Sequence, residues 1–479
     1  MYKQETKNML FFTIMITKKS HIHFVGIGGI GMSGLATILK QSGYTVSGCD
    51  PDIKQDTVIK LQQLGCAVHE GNNAPACNDA TIDTLIYIPM YATTIPAVMA
   101  EIERAQKNNI ITLSRAQLLA QLMHSKYSIA VAGSHGKTTT TSLISHLLIE
   151  ANLDPTIVVG GQLKNIGSNA RMGNGTFLVA EADESDRSFL EFHPNIAVIT
   201  NIDVEHLETY ADLNDIKNVF QQFIHNIASD GIAIMCTDDE NIRSLLPINR
   251  TIISYGIEHD ADFMARDIAL HANHSSFTVY TKNNALLGTI TLSVAGKHNV
   301  YNALAAIALA HTLHINMHTI AQSLASFAGV ERRFSFHGTY KNADVFDDYG
   351  HHPKEIEHTL TVARKRARNK LRVIFQPHRY TRTQKLWNDF LNVFATSAID
   401  HLIITDIYSA GEYPIVDVCS KRLVEELLPI NPSCTIQYIP FETNFASIKH
   451  ALDQTIEPDD LLLFLGAGKM HLIAQKITQ

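Results

Sequence analysis

Apolar and polar positions along this chain alternate between two periods. Short unbroken apolar runs rich in Val, Ile and Leu recur. Each leads through a turn into a longer stretch whose apolar residues fall three and four apart. The short runs read as buried strands and the longer stretches as helices packed on them, the pattern of parallel α/β domains. The clearest units predict strands over 21–25 and 45–48 with a helix over 32–41 between them, then a strand over 128–132 and a helix over 139–148. Strands follow over 177–180, 196–200, 344–346, 372–375, 401–405 and 461–465. No repeat, low-complexity tract or long charge run interrupts the alternation. The expected fold class is α/β with three domains, each on a largely parallel sheet. New strand-plus-loop units set the boundaries at 1–127, 128–329 and 330–479, and a length of 479 residues suits roughly three domains of about 150.

Two of the turns carry phosphate-binding chemistry. Gly133-Ser134-His135-Gly136-Lys137-Thr138 follows an apolar strand and opens a helix. Such a turn aims backbone N–H groups at phosphate, Lys137 adds a mobile positive charge, and the Thr138 hydroxyl suits a magnesium ligand. Two residues lie between its glycines, where the usual P-loop has four. Gly26-Ile27-Gly28-Gly29-Ile30-Gly31 also links strand to helix, and Asp50 ends the next strand. That is the fingerprint of a Rossmann-like dinucleotide site, although the same scaffold holds the diphosphate of any nucleotide. Two nucleotide sites suggest that one takes fuel and the other a handle on the substrate.

Carboxylates and histidines collect after the other strands. Glu181-Ala182-Asp183-Glu184-Ser185-Asp186 follows one buried run, and Asn201-Ile202-Asp203-Val204-Glu205-His206 follows the next. Oxygen donors beside a phosphate loop suit Mg²⁺, and Glu181 and His206 are expected to meet at neighbouring strand ends beside Thr138. In the last third, Asp347 to Pro353, Gln376 to Arg382, Asp406 to Glu412 and Gly466 to Gly468 put polar groups on one edge of one sheet. There Arg379 and Arg382 suit a carboxylate, which a guanidinium grips with two hydrogen bonds.

Composition narrows the class. The chain is 45% hydrophobic and 18% charged with a net charge of -8, an ordinary globular mix without the basic footprint of a nucleic-acid binder. The cysteines, Cys49, Cys66, Cys77, Cys236, Cys419 and Cys434, form no CxxC pair, so neither a zinc site nor a disulfide framework is signalled. Reduced thiols in a cytoplasmic enzyme are the plain expectation. No apolar run approaches the ~18 residues that span a bilayer, so no membrane insertion is expected. Residues 9–16 are apolar and follow Lys3 and Lys7, but no small-residue cleavage site follows, and Met15 is an alternative start.

Taken together the motifs resemble the Mur ligase family, in order, from His21 to Met470. The matching segments are 23–34, 133–141, 181–186, 200–206, 296–299, 329–334, 347–353 and 376–383. The resemblance implies a UDP-binding domain, a P-loop ATPase domain and a Rossmann-like C-terminal domain for the amino acid. It implies a cytoplasmic enzyme of peptidoglycan precursor synthesis. That enzyme uses ATP and Mg²⁺ to join L-alanine to the carboxylate of UDP-N-acetylmuramate through an acyl phosphate. By the same resemblance Gly133, Ser134, His135, Gly136, Lys137, Thr138 and Thr139 hold ATP phosphates, and His298, Asn299 and Asn302 line the adenine. Arg332 and Asp348 complete the nucleotide site. Thr138, Glu181 and His206 serve the metal. Gly28, Gly29, Ile30, Gly31 and Asp50 hold UDP, while His378, Arg379 and Arg382 face the sugar substrate. Lys137, Glu181, His206, His352 and Arg379 are the expected catalytic residues. A relative that attaches a whole tripeptide tends to carry Tyr where this chain has Ser185, which favours the single amino acid. An NAD-dependent dehydrogenase would explain Gly26 to Gly31 and Asp50 but leaves Gly133 to Thr138 unused.

Overall fold

Runs such as Leu461–Leu465 dictate buried parallel sheets, because side chains of a strand alternate between faces and an unbroken apolar run needs cover on both. In the computed structural model Leu461, Leu463 and Leu465 pack into one hydrophobic cluster with Val373, Phe375 and Phe394. Leu462 and Phe464 face the opposite cluster with Val345, Ile374 and Met470. The structure describes residues 20–72, 77, 79–206 and 209–479; residues 9–16 and Met15 lie outside them.

The elements form three sheets. The first comprises β1 (His21–Val25), β2 (Thr45–Asp50), β3 (Ala67–Glu70), β4 (Thr84–Tyr87) and β5 (Ile111–Ser114), all parallel, in the order β3-β2-β1-β4-β5. The second contains β6 (Tyr127–Ala132), β7 (Thr156–Leu163), β8 (Ser168–Arg171), β9 (Phe177–Glu181), β10 (Ile196–Ile199), β11 (Ile232–Cys236), β12 (Thr251–Gly256) and β13 (Phe263–Leu270). Their order is β13-β12-β11-β10-β6-β9-β7-β8, and β14 (Ser275–Thr281) and β15 (Leu286–Leu292) continue from β13. β8 runs antiparallel to β7, while β6 pairs parallel with both neighbours. The third holds β16 (Ser335–Tyr340), β17 (Ala343–Asp348), β18 (Leu371–Phe375), β19 (His401–Ile404), β20 (Thr435–Tyr438) and β21 (Leu461–Leu465), in the order β16-β17-β21-β18-β19-β20. Only its β16–β17 pair is antiparallel.

The α/β expectation with three largely parallel sheets therefore holds. Packing divides the chain into two compact units. The first is Met1–Met264, Tyr280–Leu286 and Tyr301–Ser323; the second is Ala265–Val279, Leu287–Val300 and Leu324–Gln479. Among the described residues no helix is long and apolar enough to cross a membrane.

Two places in the topology matter for function. β1 lies between β2 and β4, and β6 lies between β10 and β9, so strand order reverses at each. A crevice opens beyond the C-terminal end of a strand at such a reversal, and both glycine-rich turns leave the sheet there. Element ends differ slightly from the sequence expectation. Gly136 adopts φ 80° as the residue before helix Lys137–Glu150, so the helix begins at Lys137 rather than at 139. β17 runs on to Asp348 because Asp347 and Asp348 still pair with Phe464 and Leu465, although their acidity reads as loop.

Candidate functional site

The turn after β6 is built around two glycines that accept no side chain. Gly133 has φ 139°, and a Cβ there would lie 2.1 Å from Thr200 Oγ1; Gly136 has φ 80°, and a Cβ there would lie 2.5 Å from Asn302 Oδ1. The segment after β10 pins the turn. Ser134 N donates to Asn201 O (3.1 Å), His135 N to Asn201 Oδ1 (2.8 Å), and Thr200 Oγ1 to His135 O (2.7 Å). The turn thus presents the start of helix Lys137–Glu150, with Thr138 and Thr139 in its first turn. Free helical N–H groups at that end favour an anion.

Around this helix end stand several carboxylates. Lys137 Nζ donates to Glu184 Oε1 (2.8 Å) and to the carbonyls of Gly133 and Ser134 (2.7 and 3.1 Å). Thr138 Oγ1 donates to Glu181 Oε1 (3.0 Å), whose second oxygen accepts from Gly160 N (2.8 Å). His206 Nε2 lies 3.5 Å from Glu184 Oε1 and 3.9 Å from Glu205 Oε2; His135 Nε2 lies 3.1 Å from Asp203 Oδ2. Burial alone would lower the Lys137 pKa, but Glu184, Glu205 and Asp183 outweigh it and hold the ammonium charged. Burial raises the Glu181 carboxyl above its ordinary range. One lysine does not balance these acids. A hydroxyl and several carboxylate oxygens facing one helix end are the donor set a hard cation such as Mg²⁺ takes, so the residues fit that ion.

One expectation is changed by topology. β9 and β10 are not neighbours; β6 stands between them. Glu181 therefore meets Thr138 on one side of the turn, while His206 meets Glu184 and Glu205. Sequence reasoning did not single out Glu184 or Glu205. Both lay inside acidic segments that it marked, but which acid points inward is set by loop turns, such as Arg187 N donating to Glu184 O (3.0 Å). It also missed Arg115, whose Nη1 would lie 2.8 Å from a Cβ on Gly31 and whose charge helps to lower the Asp183 pKa.

The turn after β1 is also held from within. Gly26 has φ 75°, and Gly28 N donates to Asp50 Oδ2 (2.8 Å). The other Asp50 oxygen accepts from Asp52 N (3.0 Å) and Gln55 Nε2 (2.8 Å), and only 5% of Asp50 is exposed. In this structure Asp50 shapes the loop. Gly29, Ile30 and Gly31 enter helix Ile30–Gln41, with the Ile30 side chain exposed.

In the second unit β17, β21, β18 and β19 are parallel, so their following loops share one edge, as the sequence suggested. Arg332 Nη2 donates to the carbonyls of Gly466 and Gly468 (3.1 and 3.0 Å) and its guanidinium lies over the Tyr349 ring (4.7 Å). Asp348 accepts from Phe334 N (2.8 Å) and Gly350 N (2.7 Å), and burial pushes its carboxyl up to about 6. His352 caps helix Pro353–Arg366, its Nδ1 accepting from Lys354 N (3.3 Å). His378 stacks on Tyr408, and its Nδ1 is 3.1 Å from Arg382 Nη1; Arg379 begins helix Tyr380–Lys385 with φ 69°. Burial, then Arg382 and Arg379, push the His378 imidazole down to about 3. His298 and Asn299 also belong to this unit. The His298 ring lies 5.3 Å from His358, and Asn299 Nδ2 donates to Ala295 O (2.7 Å). Asn302 belongs to the first unit, where its Oδ1 accepts from Thr140 Oγ1 (3.2 Å).

The chain is similar to known proteins over its length. Residues 21–127 match the model "Mur ligase family, catalytic domain", residues 131–310 the "Mur ligase middle domain" and residues 332–468 the "Mur ligase, glutamate ligase domain". The UDP-N-acetylmuramate–L-alanine ligase of Syntrophus aciditrophicus is 44% identical over 96% of this chain and 93% of its own length. That of Syntrophotalea carbinolica is 42% identical over 97% and 99%. Among solved structures, the UDP-N-acetylmuramate–alanine ligase of Thermotoga maritima superposes with a TM-score of 0.79 at 28% identity, covering 95% of this chain and 98% of that one. A murein peptide ligase of Psychrobacter arcticus gives 0.70 at 25% identity, over 96% and 98%.

Proposed function

Because the chain belongs to the Mur ligase family, we propose that it is the ATP-dependent ligase joining L-alanine to the carboxylate of UDP-N-acetylmuramate. The observation that carries this reading is the phosphate turn of Gly133 to Thr138, with Lys137 and Thr138 bonded into a cluster of Glu181, Glu184, Glu205 and His206. Full-length likeness to L-alanine ligases supports the choice of amino acid. The pathway is then peptidoglycan precursor synthesis, and the cytoplasm, where ATP is available, is its place. The three matched segments support domains of 1–127 for the UDP-sugar, 128–329 for ATP and 330–479 for the amino acid.

A carboxylate is a poor acyl donor because its oxygen is a poor leaving group. Transfer of the γ-phosphoryl group onto it gives an acyl phosphate and ADP. The alanine amine then attacks the carbonyl, the C–O bond to phosphate breaks, and inorganic phosphate leaves. Lys137, at the helix start, moves from Glu184 to the transferring phosphoryl oxygens and meets the negative charge that builds there. The N–H groups of Gly136 to Thr139 orient the phosphates. Thr138, Glu181 and the His206 side of the cluster would hold Mg²⁺, which would supply positive charge against the nucleotide phosphates. Arg379 and Arg382 grip a carboxylate on the edge of the third sheet, and the neutral His378 beside them is free of competing charge. Gly28 to Gly31, backed by Asp50, hold the UDP diphosphate.

Purified protein given UDP-N-acetylmuramate, ATP and Mg²⁺ should release phosphate rapidly only when L-alanine is added, with ADP, phosphate and ligated sugar in equal amounts. Parallel arms with glycine, L-serine and a tripeptide, read by mass spectrometry, set the specificity. Preference for the tripeptide would move the chain to the murein peptide ligases, and turnover of none of them by folded, ATP-binding protein would defeat the ligase reading.

A further inference from the structure

The first sheet buries four metal-ligating side chains that the ligase reaction leaves unused. His23 lies on β1, Cys49 on β2, Cys77 in the segment before β4, and Glu101 on helix Pro96–Lys107. Their exposures are 0%, 0%, 5% and 1%. One ligand atom from each lies within 4.8 Å of all the others. His23 Nε2 is 3.1 Å from Glu101 Oε1, and Cys49 Sγ is 3.7 and 3.6 Å from the two Glu101 oxygens. The His23 ring is oriented from behind, its Nδ1 lying 2.8 Å from Ser47 Oγ. No disulfide joins the two thiols.

A carboxylate, two thiols and an imidazole converge here out of solvent, and such groups are expensive to bury unless they pair or hold a metal; in the metal-free site His23 pairs with Glu101. Metal–ligand bonds of about 2.0–2.3 Å give tetrahedral edges of roughly 3.3–3.8 Å; the Cys49–Glu101 spacings of 3.6 and 3.7 Å fall in that range, and the His23–Glu101 spacing of 3.1 Å is slightly shorter. Two sulfurs, one imidazole and one carboxylate select a zinc-class ion over Mg²⁺ or Ca²⁺. Ser47 supplies the outer hydrogen bond that ligating histidines almost always have. A cavity of about 630 Å³ lined by Cys77, Asp79, Glu101 and Arg104 gives the ion a way in. Four ligands without an open position mark a structural rather than a catalytic site.

We propose that His23, Cys49, Cys77 and Glu101 form a structural site for one zinc-class divalent cation, which ties β1, β2, the segment before β4 and helix Pro96–Lys107 together beneath the glycine-rich turn. Binding would take the cysteines as thiolates and His23 as neutral imidazole, releasing to solvent the protons those groups carry in the metal-free site. The site lies apart from the phosphate turn, whose donors are oxygen and nitrogen only, and sulfur is therefore the label that separates the two.

The test is cobalt(II) titration of the full-length, fully reduced protein in excess Mg²⁺, with total metal measured on the protein as purified. One equivalent of cobalt should bind with a thiolate-to-cobalt charge-transfer band and tetrahedral visible absorption, and one equivalent of zinc should displace it. Cys77→Ser should weaken the charge-transfer band by about half, and Cys49→Ser with Cys77→Ser should abolish it. Added zinc should raise the thermal midpoint of the wild type and leave that of the double variant unmoved. Absence of a thiolate band in the wild type with both thiols titrating as free would overturn the site, and so would a Cys49–Cys77 disulfide in protein prepared under reductant. Both are read on the wild type, so a poorly folding variant does not shield the idea.

Discussion

Lys137 and Glu184 form one pair to which the proposed function gives both a stabilising and a chemical part. Only 2% of the Glu184 side chain is exposed, and it neutralises Lys137 at 2.8 Å. Removing one partner of a buried pair leaves an uncompensated charge, at a cost of about 3–5 kcal/mol. Lys137→Ala should therefore lower kcat by on the order of 10³-fold and also lower the thermal midpoint. Adding Glu184→Gln should restore much of the midpoint but none of the turnover. Calorimetry beside a phosphate-release assay reads both, and near-normal turnover in Lys137→Ala would remove the lysine from the reaction. The histidines of the third sheet make a separate statement about pH. Burial, aided by Arg382 and His378, pushes His351 down to about 3, and His378 is likewise at about 3. Their ordinary value is 6.5, so below it the unfolded chain binds protons that the folded chain refuses. Their contribution is whole above pH 6.5 and is lost as pH falls toward 3, with a slope approaching about 1.4 kcal/mol per pH unit for each imidazole. The midpoint of unfolding should drop from neutral to mildly acidic buffer, and His378→Gln should flatten that slope. An unchanged slope in this variant would contradict a neutral buried imidazole.

At the scale of elements, helix Arg115–His124 shows local chemistry placing an arginine beside the first glycine turn. Ser114 Oγ accepts from Gln117 N (3.1 Å) and Gln117 Oε1 accepts from Ser114 N (2.9 Å), a reciprocal cap that starts the helix with Arg115 beside Gly31. Ser114→Ala should cost about 1 kcal/mol, measured by urea denaturation, and a loss indistinguishable from zero would show that the cap is not limiting. Elements of this kind are legible in sequence because their causes are local. The glycine turns and the buried strands, such as Leu461–Leu465, were readable from residue type and period. Strand order was not. β21 enters between β17 and β18 from almost the end of the chain, and β6 separates β9 from β10, so the partnership expected of Glu181 and His206 was divided. The cysteines hid their company for the same reason. His23, Cys49, Cys77 and Glu101 come from successive strand and helix units, and no short spacing announces ligands that only the sheet brings together.

At the scale of the molecule, the glycine turn and the phosphate turn lie in one compact unit. Asp50→Ala should free the Gly28 N–H and loosen the first turn, weakening UDP-sugar binding on the order of tenfold while ATP affinity stays within about twofold. Titration calorimetry with each ligand checks this, and equal weakening of both would dissolve the division of labour. Helix Ile30–Gln41, which begins at the first turn, is bolted to the sheet that carries the second. Asn169 Nδ2 donates to Ile30 O (2.6 Å), Met172 N donates to Gln41 Oε1 (3.1 Å), and a Cβ on Gly34 would come within 3.0 Å of Asn169 Nδ2. That contact works as a fixed calliper. On the proposed reading, with one jaw on the diphosphate and the other on the γ-phosphoryl group, it would gauge how far a carboxylate stands from its nucleotide handle.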